Sequence, residues 1–215
     1  MNVAVHKRAR RVAWKTKSLL RSRRLYSDSD LIMLYKSHVL SYIEYKTAGI
    51  HFVLSSVLCE LDDVQARFIK QFNMSEEGAF MHFNLAPLET RRDIAILGVI
   101  HRAAMREGPS QLWKFFCLAC PDNVPVRSFR HFRPHNMRLA EWPQGRNLDI
   151  ARRSALGMIR VYNLLPHECV LHKTLSEFQR ALSGLVRDRV VAGDHRWRHL
   201  LSPRHTLFQY HPLIH

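Results

Sequence analysis

The chain has 215 residues and is 47% hydrophobic, enough apolar material for a folded core and too much for a disordered tail. Its 33 Lys and Arg against 18 Asp and Glu give a formal net charge of +15. This charge points to a polyanionic partner, because the phosphates of a nucleic acid attract cations whatever the base sequence. No stretch approaches the ~18 uninterrupted apolar residues of a membrane span. The four cysteines lack the even spacing of a secreted framework, so we expect an intracellular protein of the nucleus or cytoplasm.

Residues 1–27 form a strongly basic segment, predicted to be a helix or connection with a broken apolar stripe. Such a helix can lie along a phosphate backbone or on an acidic membrane surface, and the run also fits a nuclear localisation patch. A solvated basic helix without a ligand fits the pattern equally well. The candidate nucleic-acid contacts in this segment are Arg8, Arg10, Arg11, Lys15, Lys17, Arg21, Arg23 and Arg24.

Apolar residues at helical spacing predict a helical bundle over residues 28–118. A first helix over 28–46 has Ser27 or Asp28 as its N-cap and ends before Gly49. A second is predicted over about 53–73, and a third starts at Pro87, which suits the first helical position. A short apolar helix over 110–118 completes the bundle.

Three cations of this bundle are further candidate nucleic-acid contacts: Lys36, Arg91 and Arg92. The two arginines are adjacent on one helix, so their side chains point about 100° apart and cannot both face the core. An exposed ion-pair ladder with Glu89 and Asp93 is the alternative to phosphate binding.

Residues 119–193 are predicted as a mixed arm followed by a smaller C-terminal helical unit, and residues 194–215 as a poorly ordered tail. The arm is either a small β segment or irregular. Its candidate contacts to nucleic acid are Arg127, Arg130 and Arg133. The neighbouring phenylalanines would either stack on bases or dock on the bundle. The C-terminal unit has a helix near 151–164 and one over about 174–191, the latter N-capped by Thr174.

One group of residues has metal-ligand spacing: Cys117, Cys120, His131 and His135. Two cysteines and two histidines are a donor set that tetrahedral zinc accepts. The intervening stretch is short for a zinc finger, and Pro134 lies inside the histidine pair. Buried cysteines and exposed histidines are the commoner outcome of such a pattern, so we predict no metal and no cofactor.

Four segments form an ordered set of motifs: Leu34-Tyr35-Lys36-Ser37-His38-Val39 with Ile43-Glu44-Tyr45; Leu61-Asp62-Asp63-Val64-Gln65-Ala66-Arg67; Leu85-Ala86-Pro87-Leu88-Glu89-Thr90-Arg91-Arg92; and Tyr162-Asn163-Leu164-Leu165-Pro166 with Ser176-Glu177-Phe178-Gln179-Arg180-Ala181-Leu182. This order resembles the region after the palm in reverse transcriptases of non-LTR (LINE-type) retrotransposons. Ser41, Asp62 and Tyr162 depart from the family pattern, standing where proline, glutamate and tryptophan are usual. The resemblance implies a mainly α-helical, thumb-like bundle that grips RNA or an RNA/DNA hybrid through phosphates, without reading sequence.

The resemblance covers only the region C-terminal to the catalytic palm, so we expect a binding fragment and not an enzyme. Polymerisation needs carboxylates that hold two metal ions, which the family supplies from an aromatic-x-Asp-Asp turn. Asp62-Asp63, the one Asp-Asp pair in the sequence, falls within a helical pattern and cannot form that turn. A reverse-transcriptase palm or a second copy of the chain is a further expected partner, and a membrane is not. The alternatives are a helical protein-interaction module and a non-functional retroelement relic.

Overall fold

The computed structural model describes residues 2–45, 47–119, 135–141, 153–204 and 211–214. Over these residues the chain is mainly helical, as predicted, and holds no β-strand. The chain divides into two compact units, Met1–Arg92 and Asp93–His215. This boundary lies within the bundle predicted over 28–118, and each unit is described by itself.

The first unit is built from short and long helices around one apolar core. Its core includes Leu31, Tyr35, Leu61 and Phe68, and the Tyr35 and Phe68 rings stack with centroids 4.0 Å apart. The elements are α1 (Asn2–Arg21), α2 (Asp28–Leu34), a π-helix (Tyr35–Leu40), α3 (Ser41–Glu44), α4 (Thr47–Ile50), α5 (Ser55–Lys70), α6 (Glu76–Phe83) and the start of α7 (Leu88–Ala104).

The helix predicted over 28–46 is interrupted, which corrects the expectation of one continuous α-helix. It runs as α2, the π-helix and α3, and ends at Glu44. Ser27 is confirmed as its N-cap, since its side chain accepts a hydrogen bond from the Asp30 N–H at 3.2 Å. Gly49 does not end this helix but lies inside α4. A π-helical turn shifts the register of the buried face, which periodicity alone does not reveal.

Helix α1 is part of the first unit's core. It packs against α5, and Val5, Ala9 and Val12 on its inner face are buried. The His6 Nδ1 atom lies 2.7 Å from the carboxylate of Glu60 on α5. The N-terminal segment, predicted as a basic helix or connection, is therefore a helix whose apolar face packs within this unit.

The second unit contains the rest of α7 followed by further helices among the described residues. These are α8 (Ser110–Trp113), α9 (Met158–Asn163), α10 (His167–Val170), α11 (Leu175–Val191) and a 3-10 turn (Trp197–His199). Thr174 is confirmed as the N-cap of α11, because its Oγ1 accepts from the Glu177 N–H at 3.3 Å. This hydrogen-bonded cap also lowers the pKa of the Glu177 carboxyl.

A polar network lies inside the second unit, around the fully buried Tyr162. The His101 Nε2 atom is 2.8 Å from the His172 carbonyl and must donate to it, so Nδ1 is the acceptor for the Tyr162 hydroxyl at 3.0 Å. The His101 ring also stacks on Phe178 at 4.1 Å. Burial lowers the pKa of His101, so the ring is held neutral.

Most of the arm predicted over 119–150 lies outside the described residues. In its described part, Leu139 forms an isolated antiparallel bridge with Leu118, the last residue of the predicted bundle. Asn163 extends this pairing, since its amide accepts from the Leu139 N–H at 2.8 Å and donates to the Leu139 carbonyl at 2.9 Å. Residues 194–204 differ from the poorly ordered tail that the sequence predicts, because Trp197 and Leu200 are buried there.

Candidate nucleic-acid interface

Each residue of α1 is rotated by ~100° from the one before it, and the residues discussed below fall on three faces of the helix. The inner face carries Val5, Ala9, Val12 and Thr16, all buried. A second face carries the cations that approach Tyr42. The third points to solvent, and we call it the Trp14 face; it consists of Lys7, Arg10, Trp14, Lys17 and Arg21.

The Trp14 face carries four cations and one tryptophan, and the exposed Val3 lies one turn before it on the same side of the helix. All five residues are exposed, and Trp14 retains 68% of its accessible surface. Helix α1 has seven Lys and Arg and no Asp or Glu. Within the described part of the chain, the four cations of this face have neither ion-pair nor hydrogen-bond partners. Their charge is therefore uncompensated and available to an anion.

The second face of α1 surrounds a single ring. Arg8, Arg11 and Lys15 lie over Tyr42, with 5.9, 5.7 and 5.2 Å between each charged group and the ring centroid. Arg8 also donates to the Tyr45 carbonyl at 2.6 Å, beyond the end of α3. Arg8 is therefore a structural contact, whereas Arg11 and Lys15 keep charge near the surface.

Two candidate arginines follow α1 in the turn that leads to α2. Arg23 lies 3.8 Å from the Asp28 carboxylate and 5.3 Å above the Phe72 ring. Arg24 is exposed and has no ion-pair partner among the described residues. Arg24 thus extends the free positive charge beyond the end of the helix, and Arg23 is partly compensated.

Lys36, Arg91 and Arg92 have partners within the first unit. The Lys36 ammonium donates to the Phe83 carbonyl at the end of α6, over 2.6 Å. Arg91 pairs with Glu44, and Arg92 grips both oxygens of the Asp62 carboxylate at 2.7 and 2.8 Å.

The sequence did not predict the Glu44 and Asp62 partners, since it offered only an ion-pair ladder with Glu89 and Asp93. Arg92 is buried, so its guanidinium is unavailable to phosphate. We therefore leave Lys36, Arg91 and Arg92 out of the interface.

The candidate metal ligands are only partly described. Cys120 and His131 lie outside the described residues, as do Arg127, Arg130 and Arg133. Cys117 is exposed, with its thiol near the Trp113 and Lys114 carbonyls, while His135 is buried and donates from Nε2 to the Tyr162 carbonyl at 2.9 Å. No cluster of three or more metal-ligating side chains occurs where the structure is described.

Asp62 and Asp63 lie inside α5, where neighbouring side chains diverge. Asp62 is engaged by Arg92, and Asp63 is exposed. Asp62 therefore forms an ion pair between two helices and Asp63 is a surface carboxylate, so the two carboxylates do not converge on one metal ion.

Lys7 and Trp14 belong to the exposed face of α1 although the sequence did not single them out as contacts. The signal was present in their spacing, since residues 7, 10, 14, 17 and 21 recur every three or four positions. The spacing identifies one shared face, but only the packing of α1 on α5 determines which face is left open.

Comparison of the chain with protein-family models, curated proteins and solved structures gave no match. None of the described helices combines the length and apolar character that a membrane crossing requires. The assignment of a function therefore rests on the residues of the chain itself.

Proposed function

We propose that this protein binds RNA or an RNA/DNA hybrid through phosphate contacts made by the Trp14 face and Arg24, without reading sequence. The observation that carries the proposal is the row of exposed, uncompensated cations on a helix that lacks any acidic residue. Such a row releases counterions when it meets a phosphate backbone, and this gives affinity that is independent of base identity.

The finer part of the proposal is that the chain derives from the thumb and subsequent region of a non-LTR retrotransposon reverse transcriptase, with a thumb-like bundle, a small β or irregular arm and no polymerase activity. Two of the resembling motifs contact each other in the first unit, as helices of one thumb-like bundle would. Gln65 on α5 donates to the Ala86 carbonyl at 2.9 Å, and Arg92 pairs with Asp62. A palm supplied by another chain, and a location in the nucleus or cytoplasm, belong to the same proposal.

The proposal is tested by removing three charges from the Trp14 face. Arg10, Lys17 and Arg21 are changed together to Gln, which keeps helix propensity nearly constant. Affinity for a fluorescent mixed-sequence RNA is then measured across a salt series. We expect weaker binding, and a slope of log affinity against log salt that is shallower by about 2, since each single-strand phosphate contact contributes ~0.7.

A matched control removes the same charge elsewhere. Arg102, Lys173 and Arg180 are exposed residues of the second unit, and their triple change to Gln should leave the slope close to that of the unchanged protein. Equal effects of the two triple variants would refute the proposed interface. Binding that is absent, or insensitive to salt, would refute the proposed function itself.

A helical protein-interaction module is the second candidate function. It is favoured by large apolar side chains that remain exposed around the α1–α2 connection: Leu25 at 79%, Tyr26 at 48% and Met33 at 69%. Light scattering distinguishes the two candidates. Self-association that is lost when Leu25 and Met33 become Ser would favour this module, whereas a monomer that binds RNA would count against it.

A further inference from the structure

Trp14 has an environment that a core tryptophan would not have. Tryptophan is highly buried on average in folded proteins, yet Trp14 is 68% exposed midway along a rigid helix. Its ring makes no aromatic or cation–π contact with any residue that the structure describes. Most of the surface of this side chain is therefore accessible to a ligand.

Cations lie on both sides of this ring along the helix axis. At ~1.5 Å rise per residue, Arg10 lies about 6 Å before Trp14 and Lys17 about 4.5 Å after it. Lys7 and Arg21 extend the same row by about one further turn at each end, so that it spans about 21 Å in total. An aromatic ring set in the middle of a positive track is the arrangement that holds a single strand, with phosphates on the cations and a base on the ring.

We infer that Trp14 is a stacking platform for an unpaired base, so that the Trp14 face prefers single-stranded RNA to duplex. This inference rests on the proposed function and specifies its ligand. In an A-form duplex the bases are stacked on one another and the major groove is deep and narrow, so a ring on a convex helix reaches no base face. An unpaired base can turn its face to the indole.

A membrane surface is the other polyanion that a basic helix with a tryptophan can meet. An interfacial helix inserts an extended apolar face into the lipid. The apolar face of α1 is already used inside the protein, since Val5 and Val12 are fully buried. Trp14 and Val3 alone are left on the outer side, which favours nucleic acid.

The test compares Trp14→Ala, Trp14→Phe and a matched control, Trp113→Ala, which removes an exposed tryptophan of the second unit. The probe is a fluorescein-labelled, mixed-sequence RNA of about 20 nucleotides without self-complementarity, longer than the ~4–16 nucleotides of typical single-strand sites. The same RNA annealed to its complement is the duplex probe. Far-UV circular dichroism verifies that each variant is folded.

We expect Trp14→Ala to weaken single-strand binding by about 5- to 150-fold, equivalent to ~1–3 kcal/mol for one stacked base. Duplex affinity should change less than about 2-fold, and the salt slope should stay the same because no charge is lost. Trp14→Phe should recover much of the affinity, and Trp113→Ala should change neither probe. Single-strand RNA should also quench tryptophan fluorescence in the unchanged protein more than in Trp14→Phe.

Each other outcome has a defined meaning. If Trp14→Ala weakens both probes equally, or neither, stacking is refuted while phosphate binding by the cations stands. If Trp14→Ala instead abolishes binding to vesicles of phosphatidylserine and phosphatidylcholine and leaves RNA binding intact, the ligand is a membrane surface and the inference is wrong. If the unchanged protein binds neither RNA probe at low salt, the proposed function fails before stacking is in question.

Discussion

Removing the ion pair between Arg92 and Asp62 should destabilise the first unit by an amount that can be estimated from the geometry of the pair. The guanidinium makes two parallel hydrogen bonds to the carboxylate, at 2.7 and 2.8 Å, and joins the first turns of α7 to the middle of α5. The Arg92 side chain is 8% exposed and that of Asp62 is 32% exposed. Removal of the carboxylate thus leaves a largely desolvated cation without its main partner.

Asp62→Ala should therefore be clearly destabilising. Breaking a fully buried pair costs ~3–5 kcal/mol, but water reaches the carboxylate here and screens part of the interaction, so we expect a loss of about 2–3 kcal/mol in the free energy of unfolding. The measurement is urea denaturation followed by circular dichroism. A shift in the midpoint without a change in the denaturant slope would identify a loss of stability alone.

Asp63→Ala is the control, because Asp63 is the adjacent, exposed carboxylate on the same helix. It should change the free energy of unfolding by no more than about 0.5 kcal/mol. A double-mutant cycle with Arg92→Met isolates the pairwise term, so the double variant should lose less than the sum of the two single changes. Equal losses for Asp62→Ala and Asp63→Ala, or strict additivity in the cycle, would refute the reasoning.

Three further changes have definite expected outcomes in urea denaturation. Burial holds the pKa of His101 below its ordinary 6.5, so the unfolded chain takes up a proton at a higher pH than the folded chain. The contribution of His101 to the free energy of unfolding should therefore be complete above about pH 6.5 and decrease as the pH drops below it. This decrease should be less steep in His101→Gln. Asn163→Ala strips the Leu139 backbone of two buried hydrogen bonds and should cost about 2–4 kcal/mol, whereas a loss under about 0.5 kcal/mol would contradict that pairing. The buried Tyr35 hydroxyl lacks a hydrogen-bond partner among the described residues, so Tyr35→Phe should leave stability equal or raise it by about 1 kcal/mol; a clear loss would reveal an unrecognised partner.

Local features of the fold could be predicted from the sequence because their causes are local. Ser27 and Thr174 are N-caps in the structure, and each acts on an N–H three residues away. The mainly helical character followed from apolar periodicity in the same way. Helix ends were less predictable, and the π-helical turn at Tyr35–Leu40 was missed because all its residues are also compatible with α-helix.

The partners of the charged residues could not be predicted, since they are separated widely in sequence. Arg91 and Arg92 could be placed on a helix near Glu89, but their carboxylate partners come from Glu44 and Asp62, 47 and 30 residues away. A pattern of charges along one helix shows which groups share a face. It does not show which face another helix covers, and this decides whether a cation stabilises the fold or stays free for a ligand.

Under the proposed function, helix α1 would stabilise the fold through one face and bind RNA through another. Val5 and Val12 fix it to the first unit, so the cations of the Trp14 face are displayed from a rigid support and not from a flexible arm. A rigid display lowers the ordering cost of binding, which a disordered basic tail would incur in full. Stability and binding should consequently separate by face: changes at Val12 should unfold the unit, whereas changes at Arg10 or Lys17 should weaken RNA binding and leave unfolding unaltered.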